Sequence, residues 1–436
     1  MPRIIPRVAF SIFALITTFV SQYKQKKMKL IHTADWHLGN SFHRHEREGE
    51  FTHFLRWMLE TLCQQQPDAL LICGDVFDSA NPSARAEEMF YQFLNDATET
   101  VPDIQIVITA GNHDSAGRLE APQALLKTHN IYVRGLIHRN EEGEIDFDEY
   151  LLPLSLRDDA EARVVCFAIP YLRSGDYPAG MSVEEGLRYF LNGLQKRFRK
   201  SPFKVLPTVA CAHYYAAGAD INAEEHSERL VVGGQDRVDA DIMGEGFSYV
   251  ALGHIHKAQQ VSTNAYYAGS ALPMSFSERF YHHGVKMVEI GEDGNAVVSH
   301  LEYNPLRHLL TIPAKGSATP LTIMDEIYKL PERGKKDDGE AWPYLELRVL
   351  EEQPEPNFLH EVTEALSTKA VHFCRMTRET PKTASKAQST TESIENIRNL
   401  TPMEMAQIVF DSRYGSEMPD SLRLRFEQAE KECTDI

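Results

Sequence analysis

From Met28 to about Gly269 the chain runs through KLIHTAD, ALLICGD, IQIVITAGNHD, RVVCFAIP, PTVACAHYY and YVALGHIH. These are short, apolar and β-prone, and nearly every one ends in aspartate, histidine or asparagine. Unbroken apolar runs of strand length read as strands covered on both faces. Helical periodicity over Phe51–Gln64, Ala84–Ala97 and Val183–Phe198 fills the gaps between them. That alternation predicts a layered α/β domain, and sheets of this kind gather ligands beyond the carboxyl ends of their strands. A single polar residue there is an ordinary loop residue. Five polar motifs in chain order call for a common cause. Asp75 makes the need plain, because a carboxylate behind the buried run ALLIC is costly unless a cation or hydrogen-bond donors receive it.

The strand ends supply ADWH with Asp35 and His37, GDVFD with Asp75 and Asp78, GNHD with Asn112, His113 and Asp114, AHY with His213, and GHIH with His254 and His256. Carboxylate, imidazole and amide together suit first-row divalent ions such as manganese, iron or zinc better than magnesium alone. In an extended strand end, residues i and i+2 point the same way, so Asp35 with His37, and His254 with His256, are expected to converge. Gly74, Gly111 and Gly253 precede ligands, as tight turns require. Any one of these signals is weak alone, since D-x-H and G-D-x-x-D both occur by chance. All five in this order form a specific fingerprint.

The order D-x-H, G-D-x-x-D, G-N-H-D, H, G-H-x-H resembles the calcineurin-like metallophosphoesterase superfamily over about Met28 to Ser270. KLIHTADWHLG, LLICGDVFDSANPS, TAGNHDSAGRLE, YVALGHIHKAQ and YAGSALPMSFSE look like its SbcD-type nucleases. The resemblance implies a β-sandwich flanked by helices that holds two divalent metal ions, with manganese expected. Asp35, His37 and His256 would hold one ion, Asn112, His213 and His254 the other, and Asp75 would bridge them. His113 would face the scissile phosphate as a catalytic residue. Asp78 would orient His113 through a side-chain hydrogen bond, or instead cap the loop before Pro82. The resemblance further implies exonuclease action on double-stranded DNA and endonuclease action on single strands or hairpins. A homodimer and an SbcC-like coiled-coil ATPase partner are also implied.

Two rival readings share some of these features. Another metallophosphoesterase, acting on nucleotides or phosphoproteins, would carry the same metal motifs, but Ser79 stands where protein phosphatases continue D-R-G. A DNA-end-binding scaffold would not require the complete ligand set.

The remaining chain is legible by pattern. GVKMVEIGEDGNAVVSHLEYN is a hairpin turning at Asp293-Gly294. With the strands and helices that follow, it is assigned to a smaller α+β capping domain over 284–377, after a nuclease domain over 28–283. The polar segment 378–392 reads as a linker. Two amphipathic helices follow within 393–436, the first opened by Thr401, Pro402 and Glu404, and they suit a partner surface. Residues 1–27 are read as an extension outside the fold, with a signal-peptide core over Val8–Val20 as the other reading.

A net charge of -18 argues against coating nucleic acid through a general basic surface. DNA would need a local basic patch, bound metals or a partner. Arg44, His45 and Arg47, and more weakly Arg118 and Arg279, are candidate phosphate contacts, although His43, His45 and His53 read first as solvated residues. The six cysteines form no C-x-x-C pair and suit free thiols in a reducing cytoplasm. There is no G-x-x-x-x-G-K-[ST] loop, so ATP use would belong to the partner.

Overall fold

The computed structural model describes residues 26–379 apart from 217–218, 220–236, 240–243, 335–338 and 352–354, and only scattered positions between 403 and 426 beyond them. The expectations for the N-terminal extension before Lys26 and for the linker and helical tail beyond Glu379 lie outside the described residues. The chain divides into two compact units, Met1–Glu379 and Thr380–Ile436.

Two six-stranded sheets form the body of the first unit. One contains β1 (Met28–Thr33), β2 (Ala69–Cys73), β3 (Gln105–Thr109) and β4 (Ile131–Arg134) in parallel. The other is built on β5 (Leu151–Ser155), β6 (Ala162–Ala168), β7 (Thr208–His213), β8 (Tyr249–Gly253), β9 (Gln259–Gln260) and β10 (Ala265–Tyr267), in the order β9-β10-β8-β7-β6-β5. Their inner faces share one apolar core, in which Leu30, Leu71 and Val107 meet Cys166, Val209, Cys211 and Ala251. The result is a sandwich of two sheets.

Helices cover both outer faces. Helix α1 (Glu48–Gln65) buries Phe51, Phe54, Leu55, Met58 and Leu62, and α2 (Ala84–Thr100) buries Phe90, Phe93, Leu94 and Ala97. The i, i+3, i+4 spacing turns each set onto one stripe facing the first sheet, where each large side chain contributes on the order of 1.5–3 kcal/mol. Ser83 caps α2 by accepting a hydrogen bond from the Ala86 N–H. Helix α4 (Val183–Phe198), following the short α3 (Ala116–Glu120), opens on a Ser182–Glu185 capping box and packs Leu187, Phe190, Leu191 and Leu194 on the second sheet.

The strands β11 (Gly284–Ile290) and β12 (Ala296–Glu302) form the expected hairpin, but they belong to the body rather than to the smaller layer. β11 pairs antiparallel with β1, from Met28 against Ile290 to His32 against Lys286, and completes the first sheet as β12-β11-β1-β2-β3-β4. The physical reason is burial, since Val285 and Met287 on one face of β11 and Val288 and Ile290 on the other join the two cores of the sandwich.

Beyond it, β13 (Leu309–Ile312), α5 (Pro320–Tyr328), β14 (Tyr344–Leu350), α6 (Phe358–Leu366) and β15 (His372–Glu379) form a three-stranded parallel sheet with helical crossovers. Ile312, Ile323, Ile327, Leu347, Val349, Val362 and Leu366 make its separate core. Among the described residues no helix is long and apolar enough to cross a membrane.

Candidate metal centre

The loops after β1 and β2 are zipped together by main-chain hydrogen bonds. Asp35 N–H donates to Gly74 O (3.1 Å), His37 N–H to Asp75 O (3.0 Å) and Leu38 N–H to Val76 O (2.9 Å). Asp35, His37, Asp75 and His254 all have positive φ, at 53°, 47°, 48° and 101°. Non-glycine residues are uncommon in this region, and held there they mark functional strain. The convergence expected from extended strand ends is therefore achieved by a different device, because each chain leaves its strand through left-handed residues that turn the side chains inward.

Glycines make the packing possible. Gly74 has φ +80°, and a Cβ on it would lie 2.3 Å from His213 Nδ1. Gly111 and Gly253 are required by close approach: a Cβ would lie 2.1 Å from Asp75 Oδ1 in one case and 1.9 Å from the Cys73 carbonyl in the other.

Within this frame Asp35, His37 and His256 offer ligand atoms within 4.8 Å of one another, and so do Asp35, Asp75 and His213. Asn112 Oδ1 lies 2.9 Å from His213 Nε2 and 3.0 Å from His254 Nδ1. Asp75 Oδ2 stands between the two groups, 3.7 Å from His37 Nε2 and 3.3 Å from His213 Nε2. The seven residues expected as ligands thus share one site at the carboxyl ends of both sheets. Asp35 also receives the His254 N–H (2.9 Å), tying the end of β1 to the end of β8. His213 Nδ1–H donates to the Cys73 carbonyl (2.9 Å), which directs Nε2 toward the site.

His37 provides the test of whether a cation fits. It is buried, and neither ring nitrogen has a hydrogen-bond partner. Leaving such a group unsatisfied costs about 1–3 kcal/mol, which a divalent ion accepting an imidazole lone pair would relieve. Electrostatics agree with that reading. Burial, only partly opposed by Asp75, holds the His37 imidazole well below its usual range. Burial and the neighbouring His213 lower His254 to about 3. Burial also works against His213, but the Asp75 carboxylate outweighs it and raises that imidazole to about 9. Asp75 is held below the usual carboxylate range because His213 outweighs the burial that would raise it.

His113 lies beside this group, its ring edge-on to His37 with centroids 4.8 Å apart. Its N–H donates to Asp75 Oδ1 (2.8 Å), and its Nδ1 donates to the main-chain carbonyl of Asp78 (2.9 Å). A carbonyl only accepts, so this contact fixes the proton on Nδ1 and leaves Nε2 free. The Asp78 carboxylate accepts instead from Asn40 Nδ2 (2.9 Å) and stands 3.6 Å from His37 Nδ1.

Two buried carboxylates, Asp114 and Glu278, take roles that the sequence motifs do not assign. Asp114 accepts from the N–H groups of Val76, Phe77 and Gly111 and so clamps the second motif to the third. Glu278 accepts from His256 Nδ1 (3.1 Å). Only their place beside the motifs, in GNHD and MSFSE, could have pointed to them. Trp36 donates to Thr33 Oγ1 and packs edge-on against Phe54, Phe90 and Phe93, as a core residue.

Arg47, expected as a phosphate contact, is buried and paired with Glu50 at 3.1 Å. His45 meets the Phe373 carbonyl and His53 the Tyr303 hydroxyl, so neither is simply solvated, whereas His43 and Arg44 are exposed. Arg118 is exposed on α3, and Arg279 donates to the Phe276 carbonyl. Cys63, Cys73, Cys166, Cys211 and Cys374 are free thiols.

Residues 28–258 match the family model described as calcineurin-like phosphoesterase. Residues 305–414 match the one described as type 5 capsule protein repressor C-terminal domain. The SbcD component of the nuclease SbcCD from Rhodobacter capsulatus is 33% identical over 372 residues, covering 83% of this chain and 89% of its own. Its namesake in Bacillus subtilis is 30% identical over 354 residues, covering 76% and 85%. That of Escherichia coli K12 is 30% identical over 264 residues, covering 58% and 62%.

Proposed function

The chain belongs to the calcineurin-like phosphoesterase family and is a metal-dependent nuclease of the SbcD type, a hydrolase of phosphodiester bonds; from that premise we propose how its residues divide the work. Asp35, His37 and His256 hold one divalent ion, Asn112, His213 and His254 the other, and Asp75 is shared. The observation that carries this reading is the convergence of these seven side chains with His113 at one end of both sheets. Manganese is the proposed metal, because the donors mix imidazole with carboxylate and amide oxygen. When bound, the ions supply a nucleophilic water near neutral pH and offset charge on the phosphodiester.

The chain's own residues do the remaining work. His113 donates its Nδ1–H to the Asp78 carbonyl and presents Nε2 toward the substrate side; in the doubly protonated form its Nε2–H stabilises or protonates the leaving oxygen, while Nδ1–H stays with the carbonyl. Asp78 is the positioning residue for His113, through its main chain. The Asp75 carboxylate accepts the His113 N–H and so fixes the loop that carries the catalytic imidazole to the loop that carries the shared ligand.

The substrate is DNA, cut as a double-strand exonuclease and as a single-strand or hairpin endonuclease, with roles in recombination, replication and repair. An SbcC-like coiled-coil ATPase engages the tail over 393–436, the chain acts as a homodimer, and it works in the cytoplasm. The free thiols and the names of the relatives support this assignment. The domains run 28–302 for the nuclease and from 309 to 379 for the cap, whose last strand ends at Glu379.

Purified chain, with and without the ATPase partner, tests the reading on linear duplex DNA, hairpin DNA and a small phosphodiester in manganese. DNA cleavage abolished by chelation is the expected result. Cleavage of the small diester with inert DNA under every condition overturns the proposed substrate.

A further inference from the structure

A continuous set of buried polar contacts runs from the smaller sheet to His256. On β14, the Tyr344 hydroxyl donates to Glu50 Oε2 (2.6 Å) and accepts from Arg307 (2.8 Å). Glu50, fully buried in α1, is held two-pronged by Arg47 through Nε and Nη2, each at 3.1 Å. Arg47 Nη1 then donates to the Pro273 carbonyl (2.9 Å) and lies 3.6 Å from Met274 Sδ. The Met274 N–H donates to Glu278 Oε2 (2.8 Å), and Glu278 Oε1 accepts from His256 Nδ1 (3.1 Å). Both oxygens of this buried carboxylate are therefore engaged, one by the turn that carries it and one by the imidazole. The turn is clamped from the side as well, since Phe276 packs with Phe42 and Tyr344, and the Arg375 guanidinium sits 5.5 Å from the Phe276 ring centroid.

We propose that Glu278 is a positioning residue for His256, and that Tyr344, Glu50 and Arg47 hold its turn so that the smaller sheet sets how tightly one of the two cations is bound. The proposal rests on His256 being a metal ligand. A carboxylate accepting the distal N–H of a ligating histidine fixes the ring's orientation and tautomer and makes the other nitrogen a better donor. Here that carboxylate accepts the Met274 N–H of its own turn, and Arg47, held by Glu50 of α1 and through it by Tyr344 of β14, fixes the turn at the Pro273 carbonyl. Whatever loosens Tyr344 from Glu50 is transmitted to the turn.

Full-length protein titrated with manganese alone, by calorimetry and electron paramagnetic resonance, tests this, with thermal unfolding of the metal-free chain as a check on folding. Wild type is expected to bind two ions with a spin-coupled spectrum, and His256→Asn to lose one site. Glu278→Gln is expected to weaken one site about 10- to 100-fold and leave the other unchanged. Tyr344→Phe should weaken the same site about 3-fold, the effect of one hydrogen bond lost at a distance. Unchanged binding in Glu278→Gln beside a lost site in His256→Asn overturns the positioning role while the ligand set stands. Equal weakening of both sites overturns it too, because that reports general loosening. Two intact sites in His256→Asn overturn the ligand reading itself. Should Glu278→Gln fail to fold, wild-type affinity in Tyr344→Phe removes the smaller sheet from the proposal.

Discussion

At the scale of single residues, the roles of His113 and Asp78 come apart in a way that can be measured. His113 approaches the site with one nitrogen free and stands outside the proposed ligand set. Changing it to leucine should therefore lower the cleavage rate by about 10²- to 10⁴-fold, the usual span for a general acid. Manganese affinity measured by calorimetry should stay near wild type, and retained cleavage would refute the assignment. Asp78 touches His113 through its carbonyl, which any side chain preserves. Asp78→Asn should keep cleavage within about 10-fold of wild type, whereas a loss matching that of His113→Leu would put the carboxylate back in the mechanism. The polar side chains that converge were legible in the sequence because strand ends and chain order survive in one dimension. The left-handed φ at Asp35, His37, Asp75 and His254 was not, and neither was Glu278. Both depend on how distant loops approach one another, and a pairwise spacing rule carries no trace of that.

At the scale of elements, α1 is more than a cover for the first sheet. Its first turn carries Glu50, and with Arg47 just before it this makes a fully buried ion pair joining the helix to the loop at Pro273 and to β14. Removing one member strands the other in a dry setting, so Glu50→Ala should destabilise the fold by about 3–5 kcal/mol. The double change Arg47→Met with Glu50→Leu should recover most of that, since a packed apolar pair leaves no orphaned charge. Denaturant midpoints of the three proteins compare the effects, and a double variant as unstable as the single one would contradict the argument. Arg47 had the look of a DNA contact because charge runs normally mark a solvated face. The i,i+3 acid that neutralises it is visible in the sequence, but its burial comes from Tyr344, nearly three hundred residues away. The helices themselves were legible because their apolar stripes have a fixed period. The hairpin 284–302 was legible as a hairpin, but strand pattern does not say which sheet a hairpin joins, and only the doubly apolar face of β11 hinted at the sandwich.

At the scale of the whole molecule, the two sheets must stay in register for the proposed ligands from both to meet, and His32 is a buried polar link across their interface. It lies in β1, fully buried, with Nε2 donating to the Leu252 carbonyl (3.1 Å) and Nδ1 accepting from the Tyr249 hydroxyl (2.8 Å), both on β8. Burial, reinforced by the charge of Lys286 and only partly opposed by the Leu252 contact, lowers its imidazole from 6.5 to about 3. The folded protein therefore keeps His32 neutral where the unfolded chain takes up a proton. Its contribution to stability is complete above pH 6.5 and shrinks as the pH falls toward 3, by on the order of 1.4 kcal/mol for each unit. His32→Gln retains a donor and an acceptor at this site but does not titrate. Wild type should lose more of its denaturant midpoint between pH 7 and pH 5 than the variant does, a gap of on the order of 2 kcal/mol at the lower pH. Because the link joins β1 to β8, the strands that precede Asp35 and His254, its protonation should loosen the floor beneath both proposed cations. Parallel pH profiles for the two proteins would show that the sheets are held together without it.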